Sequence, residues 1–159
     1  MTYSNAQFVV LGSGDWEYEQ FFKEMQAKYP GRFVLCQGFV PELARKIYGG
    51  SDIFLMPSKS EPCGLSQMVA LRYGSIPVVR ETGGLKDSIT DSGDGKGNGF
   101  TFQTYDTQDM LNSVHRAIYA YNESKDGWKV LVERAMACDN SWGRSANDYI
   151  RLYKQLINS

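Results

Sequence analysis

Short apolar runs alternate along the chain with longer stretches in which apolar residues recur at helical spacing. The short runs predict five strands, at residues 8–11, 33–36, 53–56, 76–79 and 99–102. The longer stretches predict one helix after each of the first four strands and three helices after the last. Strands and helices that alternate in this way are typical of a doubly wound parallel sheet. We therefore predict an α/β fold of this class with C-terminal helices.

The third strand and the segment after it form the most informative stretch, SDIFLMPSKSEPCGLS at residues 51–66. A proline ends the strand, a polar loop follows, and Gly64 is predicted to open a helix. The apolar face of this helix is predicted to consist of Leu65, Met68 and Val69. In a parallel sheet such a loop lies at the carboxyl edge, where open α/β folds bind ligands.

Glu61 lies in this loop, just before the predicted helix. The N–H groups at a helix start attract anions, and a carboxylate beside them suits the binding of neutral hydroxyl groups next to a phosphate. The residues alone leave a second interpretation open, in which Glu61 is an ordinary surface acid favoured near a helix N-terminus.

The composition limits the classes of partner. A chain of 159 residues is expected to form one domain with a sizeable core. Its net charge of −1 gives no reason to expect binding to nucleic acid or to an acidic membrane. No apolar run has the length of a membrane span, and the first residues do not resemble a secretory signal. The three cysteines are odd in number and widely separated, which predicts reduced thiols and a cytoplasmic location.

Three other features carry less weight. The stretch DSGDGKGNG at residues 91–99 lacks the alternating acids and the final Glu of a calcium loop, so we predict a flexible surface loop. The turn at residues 12–14 has only two of the glycines of a dinucleotide fingerprint, which makes NAD binding a weak hypothesis. His115, the only histidine, has no nucleophile that spacing would pair with it. We expect no cofactor and no metal.

Five segments resemble the C-terminal half of bacterial glycogen synthases and plant starch synthases. They are LGSGD (11–15), QGF (37–39), SEPCGLSQ (60–67), TGGLKD (82–87) and NSWGRSANDYIRLY (140–153). They keep the order of that family and cover nearly the whole chain. The resemblance implies a retaining glycosyltransferase with two Rossmann-like domains, in which residues 1–159 form a single domain, the donor-binding one.

By this resemblance, residues of the loop and the helix start would bind a nucleotide-sugar donor. Glu61 would hold hydroxyl groups of the donor glucose and is the residue we assign to catalysis. The main-chain N–H groups of Cys63 and Gly64 would assist it. Leu65 and Ser66 would contact the nucleotide diphosphate, which needs N–H donors and the positive end of a helix dipole.

The resemblance also implies roles for residues outside this loop. Phe39 lies where the family usually has an aromatic residue against the nucleotide base, and would stack on it. Thr82, Gly83 and Gly84 would bring main chain close to the sugar-phosphate region, since glycine lets a chain approach a ligand. The two glycines alone also leave open the interpretation of a simple tight turn after a strand.

Two parts of the family's pattern are missing from these residues. One is the N-terminal domain with the acceptor groove. The other is the strand that opens the C-terminal domain, with an Arg and a Lys that neutralise the leaving diphosphate; Lys59 and Arg80 are not that pair. We therefore expect the chain alone to be inactive. Without the missing central strand, residues 8–11 must pair directly with residues 53–56 or leave edges through which copies associate, and we predict association.

The function implied is transfer of glucose from ADP-glucose or UDP-glucose to the non-reducing end of an α-1,4-glucan, with retention. The glucan acceptor would bind through the missing domain. Two alternatives are another retaining nucleotide-sugar transferase of the same fold, and a non-catalytic module that binds nucleotide sugars.

Overall fold

The computed structural model describes residues 5–158. Contacts within the chain divide it into two compact units, with the boundary between Ile47 and Tyr48. All strand pairs in the described residues are parallel, which confirms the predicted α/β class. The strands are distributed over two sheets, of two and three strands. No helix within residues 5–158 is both long and apolar enough to cross a membrane.

The first unit is built on a strand, a helix and a second strand. Its elements are β1 (Phe8–Gly12), α1 (Trp16–Lys28), β2 (Phe33–Gln37) and α2 (Pro41–Gly50), of which the last crosses the boundary. The strands pair in parallel, with Phe8 opposite Phe33. Phe22 of α1 stacks on the buried Phe33 ring at 5.7 Å between centroids. Tyr18 and Phe21 on the same helix are exposed, because a two-stranded sheet covers only part of the apolar face of α1.

The second unit contains a three-stranded sheet in the order β3-β4-β5. Its first elements are β3 (Ile53–Met56), α3 (Ser66–Tyr73), β4 (Ile76–Arg80), α4 (Gly83–Ser88) and β5 (Phe100–Phe102), with a 3₁₀ turn at Ser92–Asp94. Ile76, Val78 and Val79 of the central strand are fully buried. A continuous apolar run of this kind fits a parallel strand that is covered on both faces.

Three longer helices complete the second unit. They are α5 (Thr107–Glu123), α6 (Lys125–Met136) and α7 (Trp142–Ile157). Asp106 and Ser124 cap α5 and α6 by accepting main-chain hydrogen bonds from the first turn of each helix. Ala117, Trp128 and Leu131 bring these two helices into the core that β4 also enters. Among its described residues α7 has no buried side chain.

The start of α3 differs from the sequence prediction. The helix begins at Ser66 and not at Gly64, because Gly64 has φ +73°, which lies outside the α-helical region. Leu65 therefore precedes the helix, as its N-cap residue, and is 68% exposed.

The buried face of α3 also differs from the prediction. Gln67, Ala70 and Leu71 face the interior, whereas Leu65 and Val69 of the predicted face are exposed. Both sets of residues have i, i+3, i+4 spacing, so the spacing alone does not decide which of the two faces is buried.

The glycine-rich loop at residues 91–99 is exposed at residues 93–96, as predicted for a surface loop, and is packed at its two ends. The Asp91 carboxylate accepts a hydrogen bond from Thr101 N–H at 2.8 Å and pairs with Arg116. Gly97 is buried, and a Cβ there would lie 2.1 Å from the Asp91 carbonyl oxygen. Gly97 therefore allows close main-chain packing at one end of the loop, and the flexibility of the loop stays a prediction.

β1 belongs to the two-stranded sheet of the first unit, and β3 belongs to the three-stranded sheet of the second. β1 has a strand neighbour only in β2, and β3 only in β4, within residues 5–158. Each strand therefore keeps one edge on which no other strand pairs with it. Association of copies through these edges stays a prediction.

Candidate functional site

Two loops follow neighbouring strands at one edge of the second unit's sheet. The glutamate loop, residues 57–65, connects β3 to α3, and the glycine turn, residues 81–84, leads from β4 into α4. Met56 lies opposite Val79 in the parallel register, so the carboxyl ends of the two strands meet at one edge. The structure therefore brings together the predicted site residues of both loops, with Ser66 at the first position of α3. These residues are Glu61, Cys63, Gly64, Leu65, Ser66, Thr82, Gly83 and Gly84.

The glycine turn packs main chain against main chain on the glutamate loop. The Gly84 N–H donates to the Glu61 carbonyl oxygen at 3.2 Å. A Cβ at Gly83 would lie 2.1 Å from that oxygen, and a Cβ at Gly84 would lie 1.9 Å from the carbonyl oxygen of Cys63. Contact between the two loops therefore explains both glycines, in addition to the ligand approach and the tight turn inferred from the sequence.

The Glu61 side chain is half-buried, and its carboxylate is available to a ligand. Within residues 5–158 this carboxylate makes no hydrogen bond or ion pair with another group. It does not cap α3, whose N-cap residue is Leu65 and whose start has no side-chain cap. Both carboxylate oxygens can therefore accept hydrogen bonds from hydroxyl groups.

The first turn of α3 offers main-chain donors. The Val69 N–H donates to the Leu65 carbonyl oxygen at 3.0 Å. The N–H groups of residues 66–68 come before this bond and take no part in the hydrogen bonds of the helix. Leu65 is exposed and Ser66 half-buried. Such N–H groups, together with the positive end of the helix dipole, favour a bound anion.

Gln67 is a site residue to which sequence analysis assigned no role. Its side chain is completely buried, and Nε2 donates to the Gly64 carbonyl oxygen at 2.8 Å and to Ser88 Oγ at 3.0 Å. Nε2 also lies 3.4 Å from the Cys63 carbonyl oxygen. The sequence holds one signal that could have identified Gln67: it is a polar residue on the same helix face as Ala70, and it follows a glycine by three positions.

Arg80 braces the first part of the glutamate loop. Its Nε donates to the Ser58 carbonyl oxygen at 2.9 Å, and a terminal N–H donates to the Lys59 carbonyl oxygen. The guanidinium also lies 5.7 Å from the centroid of the Tyr105 ring. The Arg80 side chain therefore stabilises the conformation of this loop.

A polar cluster holds the strand ends beside the glycine turn. The Thr101 hydroxyl donates to the Glu81 carboxylate at 2.7 Å and lies 3.3 Å from the Asp91 carboxylate. Burial raises the pKa of Asp91, but hydrogen bonds from the Arg116 side chain and from the N–H groups of Thr101 and Gly93 outweigh it. The pKa of Asp91 consequently lies below its ordinary value of 3.8. Asp91 is therefore ionised at neutral pH.

Phe39 belongs to the first unit and follows β2. Its ring is 92% exposed and therefore accessible to a stacking partner. The turn before it depends on Gly38, which has φ +106° and donates to the Gly12 carbonyl oxygen at 3.1 Å. Stacking of Phe39 on a base stays a prediction.

Among the residues that the structure describes, the site of the second unit thus combines an unpaired carboxylate, an uncapped helix start and two main-chain loops in contact at the carboxyl edge of a parallel sheet. The chemistry of these groups suits an anionic ligand that also carries hydroxyl groups. The chain belongs to the family "Glycosyl transferases group 1", whose model matches residues 1–127.

The chain is also similar to individual glycogen and starch synthases. It is 52% identical to a glycogen synthase of Geobacillus thermodenitrificans over 99% of its length. It is 50% identical to a glycogen synthase of Pseudothermotoga lettingae over 95% of its length. Among solved structures, the catalytic domain of starch synthase IV from Arabidopsis thaliana, bound to ADP and acarbose, is 40% identical and superposes with a TM-score of 0.83 over 96% of the chain. The chain spans about a third of each of these proteins, 33%, 32% and 33%.

Proposed function

We propose that this chain is the donor-binding domain, a single domain, of a glycogen or starch synthase. The enzyme transfers glucose from ADP-glucose or UDP-glucose to the non-reducing end of an α-1,4-glucan, with retention. The observation that carries the proposal is the unpaired Glu61 carboxylate beside the uncapped start of α3. Similarity to glycogen synthases over nearly the whole chain supports it. The ADP in the starch synthase structure favours an adenine nucleotide.

Each part of the donor meets a group suited to its chemistry. Glucose hydroxyls donate to the Glu61 carboxylate, and a hydrogen bond to an ionised group is stronger than a neutral one. The main-chain N–H groups of Cys63 and Gly64 assist at the sugar. The diphosphate accepts hydrogen bonds at the helix start, from Leu65 and Ser66.

The remaining predicted residues act at the two ends of the donor. Phe39 stacks on the nucleotide base with its exposed ring. Thr82, Gly83 and Gly84 bring main chain to the sugar-phosphate region, where the interlock with the glutamate loop fixes their position.

The proposal divides the reaction between this chain and a second domain. That domain binds the α-glucan and supplies the positive charge that a departing diphosphate needs. Lys59 and Arg80 are not the Arg and Lys pair that the family uses for this, and the Arg80 guanidinium hydrogen-bonds to the loop carbonyls of Ser58 and Lys59. The proposed reaction uses no cofactor or metal and involves neither nucleic acid nor a membrane. Three free cysteines fit a cytoplasmic location.

A ligand titration followed by the main-chain amide resonances of the chain tests the proposal. We expect ADP-glucose to shift the resonances of residues 61–66 and 82–84 in a saturable way, and ADP alone to leave those nearest Glu61 unchanged. A different nucleotide sugar that binds there more tightly would support another transferase of this family. Saturating ADP-glucose and UDP-glucose without any shift at these residues would overturn the proposal.

A further inference from the structure

A continuous set of hydrogen bonds links the interior of α3 to both loops of the site. Gln67 Nε2 donates to the Gly64 carbonyl oxygen at 2.8 Å and to Ser88 Oγ at 3.0 Å. Ser88 Oγ donates in turn to the Gly84 carbonyl oxygen at 2.6 Å. The Gly84 N–H closes the set on the Glu61 carbonyl oxygen at 3.2 Å. Gln67 is therefore connected, through Ser88, to the glycine turn as well as to the glutamate loop.

The burial of this amide is not explained by stability alone. The Gln67 side chain has no exposed surface, and its Oε1 is buried without a hydrogen-bond partner among the described residues. An unsatisfied buried polar atom is unfavourable, and an apolar side chain of the same length would avoid it. An apolar side chain would, however, have no N–H group to donate to the carbonyl groups of the glutamate loop.

The geometry of a trans peptide shows what holding these carbonyls does. The C=O of one residue and the N–H of the next belong to one plane and point in opposite directions. When Gln67 holds the Gly64 carbonyl inward, the N–H of Leu65 is turned outward. Gln67 Nε2 also lies 3.4 Å from the Cys63 carbonyl oxygen. Holding that carbonyl inward turns the N–H of Gly64 outward in the same way.

The conformation of Gly64 and the placement of Gln67 also depend on each other. Gly64 has φ +73°, and a Cβ there would lie 2.6 Å from Gln67 Oε1. A side chain at position 64 would thus be strained in its backbone and would displace the Gln67 amide. The glycine and the glutamine form one unit that sets the direction of the loop's N–H groups.

We propose that Gln67 is a positioning residue for donor binding, which turns the N–H groups of Gly64 and Leu65 toward the ligand and, through Ser88, holds the glycine turn in register. This inference rests on the donor-binding function proposed above. Gln67 itself is fully buried and makes no contact with the donor.

Two substitutions remove the linkage at different points. Gln67→Met keeps the length and removes the donor, and Ser88→Ala removes the bridge to Gly84. Ser88→Thr retains a hydroxyl and serves as the conservative variant. Gln108→Met is the matched control, because Gln108 is exposed on α5 and its side chain bonds to Asn112 at 2.9 Å, away from both loops.

ADP-glucose is titrated into each variant, well below its melting temperature, with the amide resonances of Gly64 and Leu65 as the readout. We expect Gln67→Met to raise the Kd at least tenfold and to abolish the shift of these two resonances. Ser88→Ala should raise the Kd by a smaller factor, and Ser88→Thr should restore most of the loss. Gln108→Met should bind as the unchanged chain does.

The outcomes separate this inference from the proposed function. If the unchanged chain binds ADP-glucose and folded Gln67→Met binds equally well with the same shifts, the positioning role is wrong and the function stands. If Gln67→Met does not fold, Ser88→Ala decides, and an unchanged Kd there overturns the inference. If the unchanged chain does not bind ADP-glucose, the proposed function fails and this inference fails with it.

Discussion

Substitution of Gly84 by alanine tests the interlock between the two loops of the site. The Gly84 backbone needs no glycine on conformational grounds, because its φ is not in the left-handed region. The obstacle to a side chain is contact with the glutamate loop, where a Cβ would lie 1.9 Å from the carbonyl oxygen of Cys63. We therefore expect Gly84→Ala to push the two loops apart.

The size of the effect follows from these distances. Ordinary contact begins at 3.4 Å, so the loops must separate by about 1.5 Å, the difference between 3.4 and 1.9 Å. The hydrogen bond from Gly84 N–H to the Glu61 carbonyl, already 3.2 Å long, cannot survive that shift. Overpacking costs about 1–3 kcal/mol and a lost hydrogen bond about 0.5–1.5 kcal/mol, so the free energy of unfolding should fall by about 1.5–4.5 kcal/mol. For a chain of this size that lowers the melting temperature by roughly 10 °C.

Thermal unfolding of Gly84→Ala beside Gly50→Ala measures this effect. Gly50, at the end of α2, has no atom within 4 Å of the position that a Cβ would take and a backbone without positive φ, so it controls for the change of residue type. Its substitution should change the free energy of unfolding by no more than about 1 kcal/mol. Equal melting temperatures for the two variants would refute the argument that the loops are locked by main-chain contact.

Three further predictions concern the whole chain. The pKa of Asp91 is held below its ordinary value of 3.8, so its pair with Arg116 stabilises the fold above about pH 4, and this stabilisation is lost as the pH falls below that. The difference in urea stability between the unchanged chain and Asp91→Asn should therefore shrink as the pH falls below about 4, and a constant difference would contradict this. Incubation of the chain with ADP-glucose and glycogen should give no incorporation above background, whereas turnover near a typical ~10 per second would show that no second domain is needed. Light scattering should reveal association through the open edges of β1 and β3, and a monomer at high concentration would rule it out.

The sequence predicted the elements well where local signals are strong. The limits of β3, Ile53–Met56, agree with the apolar run that a proline ends. The start of α3 was misplaced because a glycine with positive φ and a glycine that opens a helix look the same in a sequence. The close packing of Gly97 in the loop at residues 91–99 was missed for a related reason, since glycine serves close packing as well as flexibility.

The candidate site was predictable in its residues but not in its internal contacts. Glu61 and the glycine turn could be named because they belong to recognisable motifs at strand ends. The interlock of Gly84 with Cys63 joins residues that are distant in sequence, so no local pattern reveals it. Gln67 was missed because a buried amide on an apolar helix face conflicts with the expectation that such faces are apolar.

The most direct test of the account compares the affinities for ADP-glucose and ADP in Glu61→Gln, with Glu123→Gln at the exposed end of α5 as the control. The Glu61 carboxylate is proposed to hold sugar hydroxyls, and hydrogen bonds to charged groups contribute about 1.5–3 kcal/mol. Calorimetry should therefore show affinity for ADP-glucose falling about tenfold to a hundredfold, with affinity for ADP and the melting temperature unchanged. An equal loss for both ligands, or a large fall in melting temperature with unchanged affinity for ADP-glucose, would contradict the assignment of Glu61 to the donor sugar.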